Sequence, residues 1–218
     1  MRPALATAWE YTETREDAED IVQDAFVPEH RVLSVSDMQE ARTPGRELHD
    51  SANYRIPLFS ASSYGLAAPM VGMAQGALDV FRSYMEKRTS APRSGQVAQF
   101  AGIQMRLAEA ATEVWTARLI MHQDIHEILG RAKRHEAPSL EERLRARRNQ
   151  AYVATLCVRA ANRLFEESGG HALLEASPLQ RFHRDIHAAA HHVSLSWDIA
   201  SEQYGRVLLG LEPTNRRF

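Results

Sequence analysis

The sequence contains one cysteine, no internal repeat, no low-complexity segment and no long apolar run. Each of these absences narrows the reading. Cys157 alone cannot build an internal disulfide framework or a multi-cysteine metal site, and it suits a reducing compartment. No stretch approaches the ~20 apolar residues needed to cross a bilayer. The first ten residues lack the basic-then-apolar pattern of a secretory signal, so a cytoplasmic location is expected. Charge of one sign is also missing: 26 Lys and Arg stand against 28 Asp and Glu, leaving a net charge of -2. Neither nucleic acid nor a membrane surface is the expected partner, because both are held by clustered cations. No G-x-G-x-x-G turn, phosphate loop or serine-nucleophile elbow occurs. What is present is ordinary for a packed protein: 218 residues, 44% hydrophobic and 25% charged, enough to bury a sizeable core.

The first sixty residues differ from the rest. Thr7 to Glu13 and Ile21 to Val27 carry β-like signals, and Arg42 to Asn53, with Pro44 and Gly45, reads as a loop. Strands this short need a partner surface. From about Ser60 the pattern turns helical. A first helix to Lys87 places Met70, Met73, Ala77, Phe81 and Tyr84 on one face, with Pro69 either opening its regular part or kinking it. Its Gly65, Gly72 and Gly76 suggest that another backbone passes close by.

A second helix, from about Gln96 past Leu129, repeats Phe100, Leu107, Val114, Met121 and Ile128 every seventh residue, with Ile103, Ala110 and Ala117 between them. The third opens at Ser139, with Glu142 as its capping-box partner, and carries Ala151, Ala154, Val158, Ala161 and Phe165. Gly169 and Gly170, able to take positive φ, close it. A fourth, from Ser177-Pro178-Leu179-Gln180 to Tyr204, has an N1 proline and the makings of a second capping box. The expected fold is mainly α: an antiparallel four-helix bundle over 59–218, preceded by remnant β strands and a linker over 1–58.

Chemistry-bearing residues concentrate in Arg181 to His192. His183, His187 and His191 recur at i, i+4 and i+8, a spacing that allows two of them to chelate a metal. No third ligand of obvious type accompanies them, so they are expected to act as polar packing groups and no metal is assigned. Asp185 and His192 lie seven apart, near one face, with Arg184 beside them; His192 is a candidate acid or base. His122 and His126 around Asp124, and the basic run Arg143 to Arg148, read as solvated faces. Cys157 reads as core.

The segments APMVGMAQGALDVF (Ala68 to Phe81), FAGIQMRLAEA (Phe100 to Ala110) and ESGGHALLEASPLQRFHRDIHAAAHH (Glu167 to His192) occur in the order and spacing of a known family. Together they resemble the C-terminal helical domain of the acyl-CoA dehydrogenase fold. More narrowly, they are similar to the flavin-dependent monooxygenases built on it: the oxygenase components of two-component aromatic hydroxylases and their sulfur- and nitrogen-oxidising relatives. DIVQDAFVPEHRVLS (Asp20 to Ser34) resembles the last strands of that family's middle β domain. The likeness spans about Asp20 to Leu211. Family members are roughly twice as long, so the resemblance implies a C-terminal half. The preceding domains, which form much of the flavin pocket, would have to come from elsewhere for activity.

The resemblance implies reduced FMN or FAD supplied by a separate flavin reductase, a small aromatic substrate, and a homo-oligomer, dimer or tetramer. It places a catalytic base at His192, eight positions after Arg184, with Val193 beside it facing the cofactor. Gly169, Gly170 and His171 match the turn that approaches the flavin. Arg88 matches an arginine that reaches flavin phosphate, with Arg93 as the competing assignment. The dehydrogenase glutamate is not evident, which favours an oxygenase. The alternatives are an acyl-CoA dehydrogenase-like FAD oxidoreductase and a non-catalytic helical oligomerisation module.

Overall fold

The computed structural model describes residues 32–90 and 95–215. Short helical turns at Val35–Gln39, Pro44–Leu48 and Leu58–Ala61 lead into five longer helices. These are α1 (Tyr64–Lys87), α2 (Ala101–Lys133), α3 (Leu140–Ser168), α4 (Pro178–Ala190) and α5 (Trp197–Leu208). The expected strands upstream of residue 32 lie outside the described residues. The stretch expected as a loop, Arg42 to Asn53, contains the Pro44–Leu48 turn and the start of a 3-10 turn at Ala52–Arg55.

Helices α1 to α4 form the bundle, and short connections force successive helices to reverse. A two-residue antiparallel pair, β1 (Thr89–Ser90) with β2 (Gly95–Gln96), links α1 to α2 in the register Thr89 to Gln96 and Ser90 to Gly95. Helix α3 is central and packs against α1, α2, α4 and α5. It therefore buries residues over a broad arc of its circumference, from Leu144 and Gln150 to Cys157 and Leu164. Of its expected seam, Ala151, Ala154 and Ala161 are buried, while Val158 and Phe165 are half-buried against the core. The central position of α3 also overturns the solvated reading of Arg143 to Arg148. Arg147 donates to Ser63 and Gln150, Arg145 pairs with Glu127, and the Arg148 guanidinium lies 4.5 Å from the Tyr204 ring centre. Burial pushes the Cys157 thiol up to about 12, which leaves it un-ionised core.

The expected α2 heptads are present but rotated. Ile103, Ala110, Val114, Ala117 and Asp124 are buried, whereas Phe100, Leu107 and Met121 flank the core as half-buried residues. In α1 the backbone runs unbroken through Pro69, and Met70, Ala77 and Phe81 are buried. The expectation of a close backbone at three glycines holds at none of them. A Cβ on Gly76 would lie 2.7 Å from the Phe182 ring, and Gly65 and Gly72 face open space. Helix-to-ring packing, not helix-to-helix backbone contact, uses the missing Cβ.

The Ser139 capping box forms in both directions. At Ser177 only the N1 proline does its expected job; the serine side chain makes no cap bond. The fourth helix is not continuous. It stops at Ala190, a 3-10 turn follows at Val193–Leu195, and α5 starts at Trp197. The cause is local: the His192 imidazole accepts the Ser194 N–H at 3.1 Å, the side-chain-to-backbone competition that ends helices. The apolar face of α4 therefore does not continue past the break. Val193 is 68% exposed, and Leu195 is buried in its place.

Candidate functional site

Three helix ends meet at one end of the bundle: the C-termini of α1 and α3 and the N-terminus of α4. Helix α3 ends at Gly169, with φ 61 and ψ -155, a region essentially reserved for glycine. Gly170 has no positive φ and continues into a 3-10 turn through Leu173. At the end of α1, the Arg88 N–H donates to Tyr84 O and Arg88 O accepts from Val97 N at 2.9 Å, so the backbone that presents Arg88 is pinned on both sides. The Arg88 side chain crosses to α3 and donates from Nη1 to Ser168 O at 3.3 Å. Its Nη2 lies 3.9 Å from where a Cβ on Gly169 would stand. Among the described residues no carboxylate pairs with Arg88. Its charge is therefore available to an anion.

The Arg88 guanidinium sits 5.5 Å from the Tyr84 ring centre. Tyr84 in turn stacks on His171, centroids 4.4 Å apart and nearly parallel at 9°. Tyr84, Ser168, His171 and Leu179 help line a cleft of about 160 Å³. The structure thus brings Arg88, Gly169 and His171 together, with Gly170 in the same turn. Arg93 lies outside the described residues. Tyr84 is the member that sequence reasoning assigned to the core alone; its signal was an aromatic four residues before an arginine at a helix end.

His192 and Val193 lie elsewhere. They follow the C-terminus of α4, a helix about 20 Å long by its rise per residue, while the glycine turn precedes its N-terminus. Both residues are exposed on this chain. Because His192 Nδ1 accepts the Ser194 N–H, a neutral ring carries its proton on Nε2 and presents a donor outward. Asp185 stays on α4 with Arg184, 3.1 Å away, and the expected shared face with His192 is broken by the helix end.

The solvated reading of the turn around Asp124 fails for the carboxylate itself, which faces inward and anchors a second polar cluster. Asp124, only 5% exposed, takes the seam position after Ala117 and accepts Tyr64 Oη at 2.6 Å and Asn149 Nδ2 at 2.8 Å. Burial raises its carboxyl above the usual range despite both donors, and burial with the nearby carboxylate raises the Tyr64 phenol. His122 and His126, one turn apart beside it, are exposed as expected. Among the described residues, no three of His, Cys, Asp and Glu converge on a metal position, and no helix is long and apolar enough to cross a membrane.

The third helix of the bundle ends in a glycine turn beside Arg88, which has no carboxylate partner among the described residues. The model of the acyl-CoA dehydrogenase C-terminal domain matches residues 64–197, and the chain belongs to that family. Within it, the chain is 33% identical over 202 residues to the oxygenase component of an FADH2-dependent resorcinol hydroxylase from Rhizobium sp., covering 88% of this chain and 49% of that protein. It is 35% identical to the oxygenase subunit HsaA of a flavin-dependent monooxygenase from Rhodococcus jostii, covering 89% and 51%. The crystal structure of the HsaA monooxygenase from M. tuberculosis superposes with a TM-score of 0.81 at 30% identity, over 89% of this chain and 49% of that one. The chain spans about half the length of these relatives.

Proposed function

We propose that these residues form the C-terminal bundle of the oxygenase component of a two-component flavin-dependent monooxygenase acting on a small aromatic substrate. The observation that carries the reading is Arg88: a guanidinium held over the glycine turn with no carboxylate partner among the described residues, on a chain whose similar relatives are oxygenase components. The same reading divides the chain into 59–218 as the bundle and 1–58 as the remnant of a preceding β domain and a linker, the linker taking in the short turns at Val35–Gln39, Pro44–Leu48 and Ala52–Arg55.

The residues present fit the phosphate end of a flavin. Arg88 supplies charge, and the stacked Tyr84 and His171 rings beside it border a small cleft at the glycine turn. Gly169 and Gly170 keep side chains out of the approach. Reduced FAD or FMN, delivered by a separate reductase, would supply the activation of dioxygen. Val193 offers an exposed apolar contact to the ring end, and His192 holds the substrate oxygen. With its proton on Nε2, His192 acts as the donor that stabilises a phenolate, and protonation at Nδ1 would cost the Ser194 bond. The Arg88 and His192 groups, at opposite ends of α4, serve different parts of the cofactor or two different copies of it in an oligomer.

The test uses the whole oxygenase with its reductase. Arg88→Ala should weaken flavin binding at least tenfold. His192→Ala should retain flavin but lower product formed per turnover, leaving peroxide instead. Unchanged hydroxylation in His192→Ala would remove His192 from the site. Reduction of bound FAD by an acyl-CoA would instead establish the dehydrogenase reading, and a folded oligomer that holds no flavin the oligomerisation module.

A further inference from the structure

An arginine at a helix end has many rotamers, and two contacts hold the head of Arg88. Its Nη1 donates to Ser168 O at 3.3 Å, a long hydrogen bond, and one such bond does not set the plane of a guanidinium. The second contact is Tyr84, whose ring centre lies 5.5 Å from the guanidinium carbon, within cation–π range. Tyr84 precedes Arg88 by one helical turn, which puts both side chains on one side of the α1 end. The ring is itself fixed from the glycine turn: His171 stacks on it with centroids 4.4 Å apart and planes 9° from parallel. Arg88, Tyr84 and His171 therefore form one run of contacts between the end of α1 and the turn after α3. Tyr84 Oη has no hydrogen-bond partner among the described residues, so the site uses the face of this ring and not its hydroxyl.

We propose that Tyr84 is a positioning residue: it aims the Arg88 guanidinium before a ligand arrives, and so makes the turn select flavins that carry phosphate, FMN or FAD, over riboflavin, which carries none. The proposal rests on the flavin reading. Its physical basis is the difference between two ways of holding a cation. A carboxylate would fix the guanidinium but cancel the charge that a phosphate needs. An aromatic face attracts the same group through its quadrupole and leaves the full charge in place. With one N–H spent on Ser168, the other guanidinium N–H groups have no partner among the described residues and can meet phosphate oxygens in pairs. An arginine ordered in advance also loses less freedom on binding than one free to turn. Phosphate recognition is thus shared between a group that touches the ligand, Arg88, and a group that acts through it, Tyr84.

The test compares the affinities of reduced FMN, FAD and riboflavin, measured without oxygen on the whole oxygenase. The wild type should bind riboflavin more weakly than the better of the other two, and Arg88→Ala should abolish the difference. Tyr84→Leu should lower the preference for phosphate about fivefold with little change in riboflavin affinity, a size set by one cation–π contact. Tyr84→Phe, which keeps the ring face, should retain the preference. An unchanged preference in Tyr84→Leu, or equal weakening of all three flavins, would make Tyr84 a packing residue and overturn the proposal. Loss of the preference in Tyr84→Phe would overturn it as well. A wild type without the preference, or an Arg88→Ala variant that keeps it, would remove the flavin-phosphate reading and the proposal with it, a result distinct from the failure of Tyr84 alone. Should Tyr84→Leu not fold by circular dichroism, Tyr84→Met, longer and also without a ring face, carries the same comparison.

Discussion

At the scale of single residues, the two polar clusters inside the bundle make different demands. Asp124 needs both of its donors, because a buried carboxylate that loses a hydrogen bond keeps its desolvation cost. Tyr64→Phe should therefore destabilise the fold by about 2 kcal/mol, read as a lower urea midpoint with unchanged slope. His183 makes a demand on pH. It is faced by His187 along α4 and by Asn162, Phe165 and Glu166 from α3. The unfolded chain takes up this proton near 6.5 and the folded chain only below that. Between the two values the unfolded state binds more protons, so stability falls as pH falls. Urea midpoints measured from neutral pH downward should decline through this window, and His183→Gln should flatten that decline. Neither cluster was legible along the chain. Asp124 continues the Ile103, Ala110, Ala117 repeat, but periodicity marks a position and not its polar partners, which come from α1 and α3. The α4 histidines were visible; Asn162, the residue that joins them, carries no local signal.

At the scale of elements, what was legible is what local chemistry decides. The Ser139 box, the N1 proline at Pro178 and the glycine end of α3 all form from residues a few positions apart. What failed was decided by neighbours or by competition for the backbone. The break after Ala190 turns on a histidine side chain capping the next turn, and hydrophobic spacing ran smoothly across it. The two glycines that end α3 separate these cases. Gly169 sits at φ 61 and ψ -155, so Gly169→Ala should cost about 1–3 kcal/mol. Gly170 lacks a positive φ and a Cβ there meets nothing within 4 Å, so Gly170→Ala should be close to neutral in thermal melting. A loss of flavin affinity in Gly170→Ala without loss of stability would then report directly on cofactor approach.

At the scale of the whole molecule, the outer face of α2 remains to be accounted for. Met105, Ala108, Thr112, Trp115 and Leu119 fall at alternating three- and four-residue steps and are all exposed, Trp115 to 63%. Such a stripe is the seam spacing of helix pairing, while the opposite face of α2 already packs on α3. An apolar stripe of this kind is unusual on a monomer. A second copy is its natural cover, because two identical stripes related by a twofold axis are self-complementary without new sequence. The acids beside the stripe are committed elsewhere: Arg163 of α3 binds Glu109 and Glu113 of α2, so these carboxylates are neutralised within the chain and do not repel a second copy. Light scattering on the chain should therefore give a dimer or tetramer. Trp115→Lys should shift it toward monomer with the bundle's helical circular dichroism intact, since the side chain lies outside the core. A wild-type monomer at micromolar concentration would reject this pairing, and an oligomer indifferent to Trp115→Lys would move the interface off α2. If the Arg88 turn and His192 serve flavins of different copies, the same substitution should also weaken flavin binding, tying cofactor retention to assembly.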